Sequence, residues 1–370
     1  MLLKKIFIVV AAVAFLTGCC CKTSYNIALL GDIHYDRMDL HDMEVYKKFN
    51  PKVPISEGVL NKDGLFSWRC QTNWVNESLG EDIKRTTPKN EEMWKKNMPE
   101  LLDNAVKTAK ECNSDYLFQL GDMVQGDAGT YELHKEMVSG GFNAMTSRFS
   151  CPVLSSIGNH DTRGPGGLQS WREIVQAAYD KNVKCIDRKD ANFYFEHGGD
   201  IYYFYDFLNP DLDMLEKAAK MPCRYFFFVS HIPVVAAQKA GMKNIVSDDT
   251  ERLLSILLEC NAIVLSGHTH GIALYNYKSN GKSITQFVIN STLRNPKVQK
   301  KFTPKVSFSK DNKNSKKQNA FWDKLFEGKV NVEVLTQGSG FGILRVSDEG
   351  VYVDFYNVDR PKTTFVLKKN

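Results

Sequence analysis

Five short apolar runs recur along the chain, and each is followed by a glycine or a serine. They are NIALL at 26–30, DYLFQL at 115–120, VLSSI at 153–157, YFFFV at 225–229 and AIVLS at 262–266. Short runs of β-branched and aromatic residues that stop at turn residues are typical of buried strands. Between two of them, residues 168–181 place apolar side chains at i, i+3, i+4 and i+7, which predicts an amphipathic helix packed on a sheet. This part of the chain therefore indicates strand–helix units.

Other helices are predicted from capping signals and apolar spacing. One begins at Pro99, one covers 130–145 with a break at Gly140-Gly141, and one begins at Asp248 with Glu251 completing a capping box. Each precedes or follows one of the apolar runs, which is the order expected when helices cover a sheet.

Beyond residue 270 the apolar period changes to two. The alternating segments are IALYNYK at 272–278, SITQFVIN at 283–290, FGILRVS at 341–347 and VYVDFYN at 351–357, with an earlier pair at 192–197 and 200–206. Alternation of this kind predicts half-buried, largely antiparallel strands. The whole layout favours one domain in which two sheets pack under flanking helices.

Two stretches do not fit this pattern and are predicted to be insertions. Residues 38–89 are polar and interrupted by proline and glycine, so they either shape a substrate pocket over the first strand or merely decorate it. Residues 296–329 are rich in lysine and form either a solvated loop or a positive rim that attracts an anionic substrate. With these insertions the single domain is expected to cover residues 19–370.

The amino terminus predicts an export signal over residues 1–18. Lys4-Lys5 precedes an apolar segment from Ile6 to Leu16, which is shorter than the roughly 20 residues that a membrane span needs. Residues 16–19, Leu-Thr-Gly-Cys, resemble the lipobox of bacterial lipoproteins, which implies that Cys19 is acylated. The protein is then expected to be exported and lipid-anchored to a bacterial membrane, in the periplasm or on the cell surface. A plain cleaved secretory signal is the alternative.

Composition narrows the classes of partner. The chain has 370 residues, 43% of them hydrophobic, and a formal net charge of +5. Such a mild charge indicates no specific nucleic-acid partner. The cysteines after Cys19 show no spacing typical of a small disulfide framework, so we interpret them as small buried side chains, with pairing between neighbouring strand starts left open. Nothing in the composition sets the oligomeric state.

Side chains suited to metal ligation or proton transfer cluster directly after the five predicted strands. They are Asp32, His34, Asp122, Asn159, His160, Asp161, His231, His268 and His270. Side chains delivered at the carboxyl ends of strands in an open sheet converge on one edge. Imidazoles and carboxylates in this number are what a two-metal hydrolytic site needs, and a central carboxylate bridges the ions. Asp122 is the best candidate for that bridge because it lies in the middle of the strand series.

Two bound ions would remove the need for a protein nucleophile. They would lower the pKa of a bridging water from about 15.7 to near 7, so that a bridging hydroxide attacks phosphorus. The chain accordingly lacks a convincing Ser-His-Asp or Cys-His arrangement. The mixed nitrogen and oxygen donors admit divalent or trivalent Mn, Fe or Zn alike.

The ordered motifs GDIH, GDMV, GNHD, SH and GHTH resemble those of the calcineurin-like metallophosphoesterase superfamily over about residues 27–275. The resemblance implies an α/β (α+β) fold, a four-layer αββα sandwich of two mixed β-sheets flanked by helices. It also implies a dimetal hydrolase of phosphate esters. It places Asp32, His34, Asp122 and His270 on one metal and Asp122, Asn159, His231 and His268 on the other. His160 would then be the general acid that protonates the leaving oxygen, with Asp161 orienting its ring.

Departures from familiar branches narrow the substrate class. Gln125 stands where purple acid phosphatases carry a tyrosine ligand, and Gln125-Gly126-Asp127 differs from the Asp-Arg-Gly of phosphoprotein phosphatases. Both branches are therefore disfavoured, whereas monoesterases and diesterases of the D-x-H type stay open. Arg163 either contacts a substrate phosphate or is a surface residue. The alternative to an enzyme is a surface lipoprotein that keeps the scaffold for binding, with metals in a structural role only.

Overall fold

The computed structural model describes residues 24–44, 59–60, 66–67, 77–164, 166–235, 249–289, 292, 324–326, 328–336, 339–357 and 360–370. The predicted signal, Cys19 and most of both predicted insertions lie outside these residues. Within the described part of the chain, no helix combines the length and the apolar character that crossing a bilayer requires.

The strands, numbered in chain order, are β1 Tyr25–Leu30, β2 Val59–Leu60, β3 Phe66–Ser67, β4 Ser114–Gln119, β5 Val153–Ser155, β6 Asp187–Lys189, β7 Asn192–His197, β8 Asp200–Phe204, β9 Phe226–Val229, β10 Ile263–Ser266, β11 Ile272–Ser279, β12 Lys282–Val288, β13 Val330–Thr336, β14 Gly340–Ser347, β15 Gly350–Asn357 and β16 Arg360–Lys369. The helices are α1 Glu77–Lys96, α2 Met98–Glu111, α3 Tyr131–Thr146, α4 Gly167–Trp171, α5 Ala177–Asn182, α6 Leu212–Ala219 and α7 Thr250–Glu259.

Both main sheets are mixed. The first has six strands in the order β16-β15-β14-β1-β4-β5, and the second has eight in the order β13-β11-β12-β10-β9-β8-β7-β6. In the first sheet β1, β4 and β5 are parallel, and in the second β8, β9, β10 and β12 are parallel. The parallel strands are those that the five apolar runs predict, together with β8 and β12, while the antiparallel strands lie toward the edges.

The two sheets face one another across an aromatic core. Phe118 on β4 packs edge-to-face against Phe204 on β8, with ring centroids 5.1 Å apart. Tyr25 on β1 donates a hydrogen bond of 2.6 Å to the buried carboxylate of Asp200 on β8. On the outer faces, α2 packs against the first sheet, and α6 and α7 pack against the second. The layers therefore run helix, sheet, sheet, helix, which confirms the predicted sandwich.

Most strand predictions are confirmed, including the alternating segments and the pair that becomes β7 and β8. The four late segments are divided between the two sheets. Strands β11 and β12 join the second sheet, whereas β14 and β15 join the first. Strands β13 and β16, which the pattern did not predict, extend the outer edges of the two sheets.

The predicted break in the helix at 130–145 is wrong, because α3 runs without interruption from Tyr131 to Thr146. The glycines serve close packing instead. A Cβ atom on Gly140 would lie 2.5 Å from Cε1 of Tyr35, and one on Gly141 would lie 3.1 Å from Cγ1 of Val124. The glycine pair thus lets α3 approach the chain segments that follow β1 and β4.

Two other helix predictions and the extent of one predicted insertion need adjustment. Residues 168–181 form α4, one π-helical stretch at Arg172–Gln176 and α5, with Trp171, Val175 and Tyr179 buried on one face. The helix predicted from Asp248 begins at Thr250 with Asp249 as its N-cap. The last part of the predicted insertion at 38–89 belongs to α1, a 20-residue helix that continues to Lys96.

The cysteines that the structure describes are free thiols, at positions 112, 151, 185, 223 and 260. Pairing between strand starts, which the sequence left open, is therefore not formed among them.

Candidate metal centre

The predicted ligands lie where the two sheets meet at the carboxyl ends of their parallel strands. Asp32 and His34 follow β1, Asp122 follows β4, and Asn159 follows β5 in the first sheet. His231 follows β9, and His268 and His270 follow β10 in the second sheet. Because parallel strands end at a common edge, ligands from both sheets converge on one site.

Glycines immediately before the ligands make this approach possible. A Cβ atom on Gly121 would lie 2.5 Å from Nδ1 of His231, and one on Gly267 would overlap the carboxylate of Asp32. In the space left by Gly121, Nδ1 of His231 donates a 2.8 Å hydrogen bond to the carbonyl of Leu120. A carbonyl directly after β4 of one sheet thereby orients a histidine that follows a strand of the other sheet.

Several ligand residues have strained backbones. The φ angles of His34, Asp122, His268 and His270 are 43°, 51°, 68° and 53°. Left-handed conformations cost non-glycine residues on the order of 1–3 kcal/mol each and persist where the surroundings hold them. The amide of His34 donates to the carbonyl of Asp122 at 3.0 Å, and the amide of His268 donates to Oδ1 of Asp32 at 3.0 Å. The site therefore holds its own ligands in place through their backbones.

A first ligand group consists of Asp32, His34, Asp122 and His270, whose donor atoms lie within 4.8 Å of one another. Nε2 of His270 lies 2.9 Å from Oδ2 of Asp32 and 3.1 Å from Nε2 of His34. Nε2 of His34 lies 3.9 Å from Oδ2 of Asp122.

A second ligand group consists of Asp122, His231 and His268, and it meets the same 4.8 Å limit. Nε2 of His231 lies 3.2 Å from Oδ2 of Asp122 and 3.2 Å from Nδ1 of His268. Oδ1 of Asn159 lies 3.2 Å from the same Nε2 atom, so the predicted amide ligand is adjacent to this group. Asp122 belongs to both groups, as the sequence predicted for the bridging carboxylate.

The nitrogen and oxygen donors of the two groups are better satisfied by bound metal ions than by hydrogen bonds among themselves. Two pairs of imidazole nitrogens face each other, His34 with His270 and His231 with His268, and one pair of nitrogens can share only one hydrogen. Asp32, Asp122 and His231 are at most 1% exposed. Buried carboxylates need compensating charge, and converging lone pairs need a common acceptor. Transition-metal ions with N and O ligands supply both, so the residues fit a dinuclear centre.

Burial sets most of the protonation states. It lowers the pKa of His34 to about 4 and that of His268 to about 3, which leaves both rings with free lone pairs at neutral pH. Burial opposes charge on Asp122 and His231 as well, but their mutual attraction prevails. It holds the pKa of Asp122 well below its usual range and raises that of His231 to about 9. In the metal-free protein His231 is thus an imidazolium.

His160 lies beside both groups. Its backbone amide donates to Oδ1 of Asp122 at 2.8 Å, and its ring packs edge-on against His34 with centroids 4.7 Å apart. Nδ1 donates a 2.7 Å hydrogen bond to the carbonyl of Gln125. Nε2 accepts from Nη1 of Arg163 at 3.3 Å, so the ring is neutral in this arrangement. Burial, and then the charge of Arg163, hold the pKa of His160 well below its usual range.

The predicted contact between Asp161 and the His160 ring is wrong. Oδ1 of Asp161 accepts from the amide of Val124 at 3.0 Å, and Oδ2 accepts from the amide of Gly158 at 2.8 Å. The carboxylate therefore ties together the turns after β4 and β5, and a backbone carbonyl orients the histidine instead. Burial and the neighbouring Asp122 raise the pKa of Asp161 to about 7.

Some supporting residues were not predicted. Nε1 of Trp94 on α1 donates to the carbonyls of Ile33 and His34 at 3.1 and 3.0 Å. The buried ring of His41 contacts Oδ1 of Asp36 and the carbonyl of Asp127, both at 2.7 Å. The contacts of Trp94 and the contact of His41 with Asp127 leave no spacing signal, since each uses a backbone acceptor that is distant in the sequence.

Residues 25–271 match the sequence profile of the family described as calcineurin-like phosphoesterase. A comparison with curated proteins gave no significant match. Among solved structures, the chain is similar to the purple acid phosphatase PPD1 of yellow lupin, with 12% identity and a TM-score of 0.51 over 94% of this chain and 54% of that one.

Two further structures are similar at 10% identity. One is GAP50, the anchor in the inner membrane complex of Plasmodium, with a TM-score of 0.47 over 94% of this chain and 90% of that one. The other is a dimetal phosphatase from Danio rerio, with a TM-score of 0.45 over 93% of this chain and 99% of that one. At these identities the similarity to the lupin enzyme shows a common fold, and the other two add no argument.

The charge state of His231 predicts that metal binding releases a proton. At pH about 7.5 the ring is protonated in the metal-free protein, because its pKa, raised from 6.5 to about 9, lies above that pH. A nitrogen that binds a metal ion must lose this proton. Titration of metal-free protein with Mn²⁺ in buffers of different ionisation enthalpy should show about one more proton released by the wild type than by His231→Gln. The difference should vanish as the pH rises through about 9, and an equal release by both proteins at pH about 7.5 would contradict the prediction.

Proposed function

The chain belongs to the calcineurin-like phosphoesterase family and is a metal-dependent phosphoester hydrolase, and we propose that the two ligand groups form its dinuclear active site. The observation that carries this proposal is the position of Asp122, whose carboxylate belongs to both groups. Asp32, His34, Asp122 and His270 would hold one ion, and Asp122, Asn159, His231 and His268 would hold the other. Mn, Fe and Zn all suit these donors.

The bound ions would supply Lewis-acid polarisation of a phosphoryl oxygen and activation of a water molecule. The chain itself supplies orientation. Nδ1 of His231 is committed to the carbonyl of Leu120, which directs Nε2 toward Asp122. Such hydrogen bonds to the second ring nitrogen fix the tautomer and direction of a ligating histidine. Asp161 holds the turns that carry Asp122 and Asn159 at a fixed distance.

His160 is the proposed proton donor to the leaving oxygen. The bond from Nδ1 to Gln125 fixes the ring, so that Nε2 is the atom that carries the transferred proton. Because Arg163 donates to that nitrogen in the structure, the acid form requires this contact to be exchanged for another. General acid catalysis of this kind contributes about 10²–10⁴ in rate. Phosphomonoesters and phosphodiesters are both candidate substrates.

We further propose that the protein is exported and anchored to a bacterial membrane through acylated Cys19. The lipobox-like sequence at 16–19 and the preceding apolar segment support this proposal. The catalytic domain would then work in the periplasm or at the cell surface.

Replacement of Asp122 tests the dinuclear site. We expect Asp122→Ala to bind fewer than about two metal ions per chain and to hydrolyse p-nitrophenyl phosphate at least about 100-fold more slowly, because both ions lose a shared ligand. Metal analysis and steady-state kinetics provide the measurements, and Asp103→Ala, which removes an exposed carboxylate, is the control. Full activity in Asp122→Ala would exclude the proposed site. A wild-type protein that binds the metals but cleaves no phosphate ester would favour the binding lipoprotein instead.

The role of His160 is tested with leaving groups of different basicity. His160→Gln should slow the hydrolysis of alkyl phosphates by about 10²–10⁴ and that of p-nitrophenyl phosphate much less, because nitrophenolate leaves without a proton. His197→Gln is the control, since His197 pairs with Asp115 outside the site. Equal losses for both kinds of ester would contradict the general-acid assignment.

The anchor is tested by expression in a bacterial host with labelled palmitate. Cys19→Ser should abolish incorporation of the label and move the protein out of the membrane fraction, whereas the neighbouring Cys20→Ser should change neither, because the acylated thiol is that of the first cysteine after cleavage. Labelled, membrane-bound Cys19→Ser protein would rule out this anchor.

A further inference from the structure

Arg163 is held beside the metal ligands by a buried carboxylate. Its Nε atom donates to Oδ2 of Asp127 at 2.6 Å, and its Nη2 atom donates to the same oxygen. The side chain of Asp127 is 1% exposed, whereas that of Arg163 is 30% exposed. The guanidinium is therefore held by Asp127, while part of the arginine side chain remains exposed.

The third guanidinium nitrogen points at the reaction site. Nη1 of Arg163 donates to Nε2 of His160 at 3.3 Å. The same histidine donates its backbone amide to Asp122 and packs against His34, so its ring adjoins both ligand groups. A substrate whose leaving oxygen receives a proton from Nε2 would place its phosphoryl group next to Nη1 of Arg163.

The ion pair is not needed to hold the two loops together. The amide of Asp127 donates to the carbonyl of Arg163 at 2.8 Å, and Nδ1 of His41 donates to the carbonyl of Asp127 at 2.7 Å. The first bond joins the turn after β4 to the turn after β5 through the backbone, and the second ties the turn after β4 to the segment after β1. The guanidinium thus adds a directed positive charge to a framework that already exists.

We propose that Arg163 binds a phosphoryl oxygen of the substrate and thereby favours phosphate monoesters over diesters. The proposal rests on the dinuclear site proposed above. Arginine stays charged at all relevant pH values and presents planar donors that match phosphate oxygens. A monoester has three non-ester oxygens, enough to contact two metal ions and Arg163 at once, and it carries a second negative charge. A diester has only two such oxygens. When a phosphoryl oxygen takes over the hydrogen bond from Nη1, Nε2 of His160 is released to take up a proton from water, which it can then donate to the leaving oxygen.

The test measures binding as well as turnover in protein loaded with Mn²⁺. We expect Arg163→Gln to weaken the binding of inorganic phosphate by about 10- to 100-fold in isothermal titration, because a charge-assisted hydrogen bond is lost. Arg163→Lys should fall between this variant and the wild type, since it keeps the charge but not the planar fork. Arg148→Gln, which breaks a similar arginine–aspartate pair on the surface, should bind phosphate as the wild type does. Arg163→Gln should also raise KM more for p-nitrophenyl phosphate than for bis-p-nitrophenyl phosphate.

Each contrary outcome has a distinct meaning. Unchanged phosphate affinity in Arg163→Gln would overturn the proposal, because the arginine would then not contact the phosphate. Loss of bound metal from this variant would also overturn it, because the arginine would then stabilise the metal ligands. Equal increases in KM for the two esters would overturn the preference for monoesters. If the wild type and Arg148→Gln themselves bind no metal and cleave neither ester, the proposed function fails, and this failure is distinguishable because it does not depend on Arg163.

Discussion

The carboxylate and backbone of Asp122 contact residues from the segments that follow three strands, β1, β5 and β9. Its side chain contributes to both ligand groups and accepts the amide of His160, while its carbonyl accepts the amides of Ile33 and His34 at 3.1 and 3.0 Å. It holds these bonds with a left-handed φ of 51°. A residue in this position fixes the segment after β1 that carries Asp32 and His34. It also fixes the backbone of His160 and sets the separation between the two ligand groups. The remaining architecture can be understood as support for it.

That support comes from both sheets and is mostly made by backbone groups. Asp161 accepts amides from the turns that carry Asp122 and Asn159, and Leu120 orients His231 through its carbonyl. Backbone donors and acceptors lose little conformational entropy when they form such bonds, because the strands already fix them. The strain of four left-handed ligand residues is therefore offset by rigid strand ends rather than by flexible side chains. Precise ligand positions on a two-sheet scaffold follow from this arrangement.

The strands and the clustering of the candidate ligands could be predicted from the sequence because both obey local rules. Apolar runs that end in glycine place Asp32, Asp122 and His268 at strand ends, and the parallel arrangement then brings them together. What could not be predicted depends on partners far away in the chain. The contact of Gly140 with Tyr35 explains an uninterrupted α3, and the assignment of β14 to the first sheet depends on its pairing with β1. The carbonyl of Gln125, which replaces Asp161 as the partner of His160, is a backbone atom that every residue type possesses.

The protonation pattern explains how the ligand set can persist before metal binds. Burial makes His34 and His268 neutral, so the positive charge beside Asp122 falls to His231. Its pKa in the folded protein, about 9, lies above the unfolded value of about 6.5. The stabilisation that this pair contributes is therefore complete below pH about 6.5 and is lost as the pH rises through about 9. A metal ion held by His231 would replace the positive charge of that proton beside Asp122. The buried carboxylate of Asp122 thus has a cationic partner, His231, in the protein without metal.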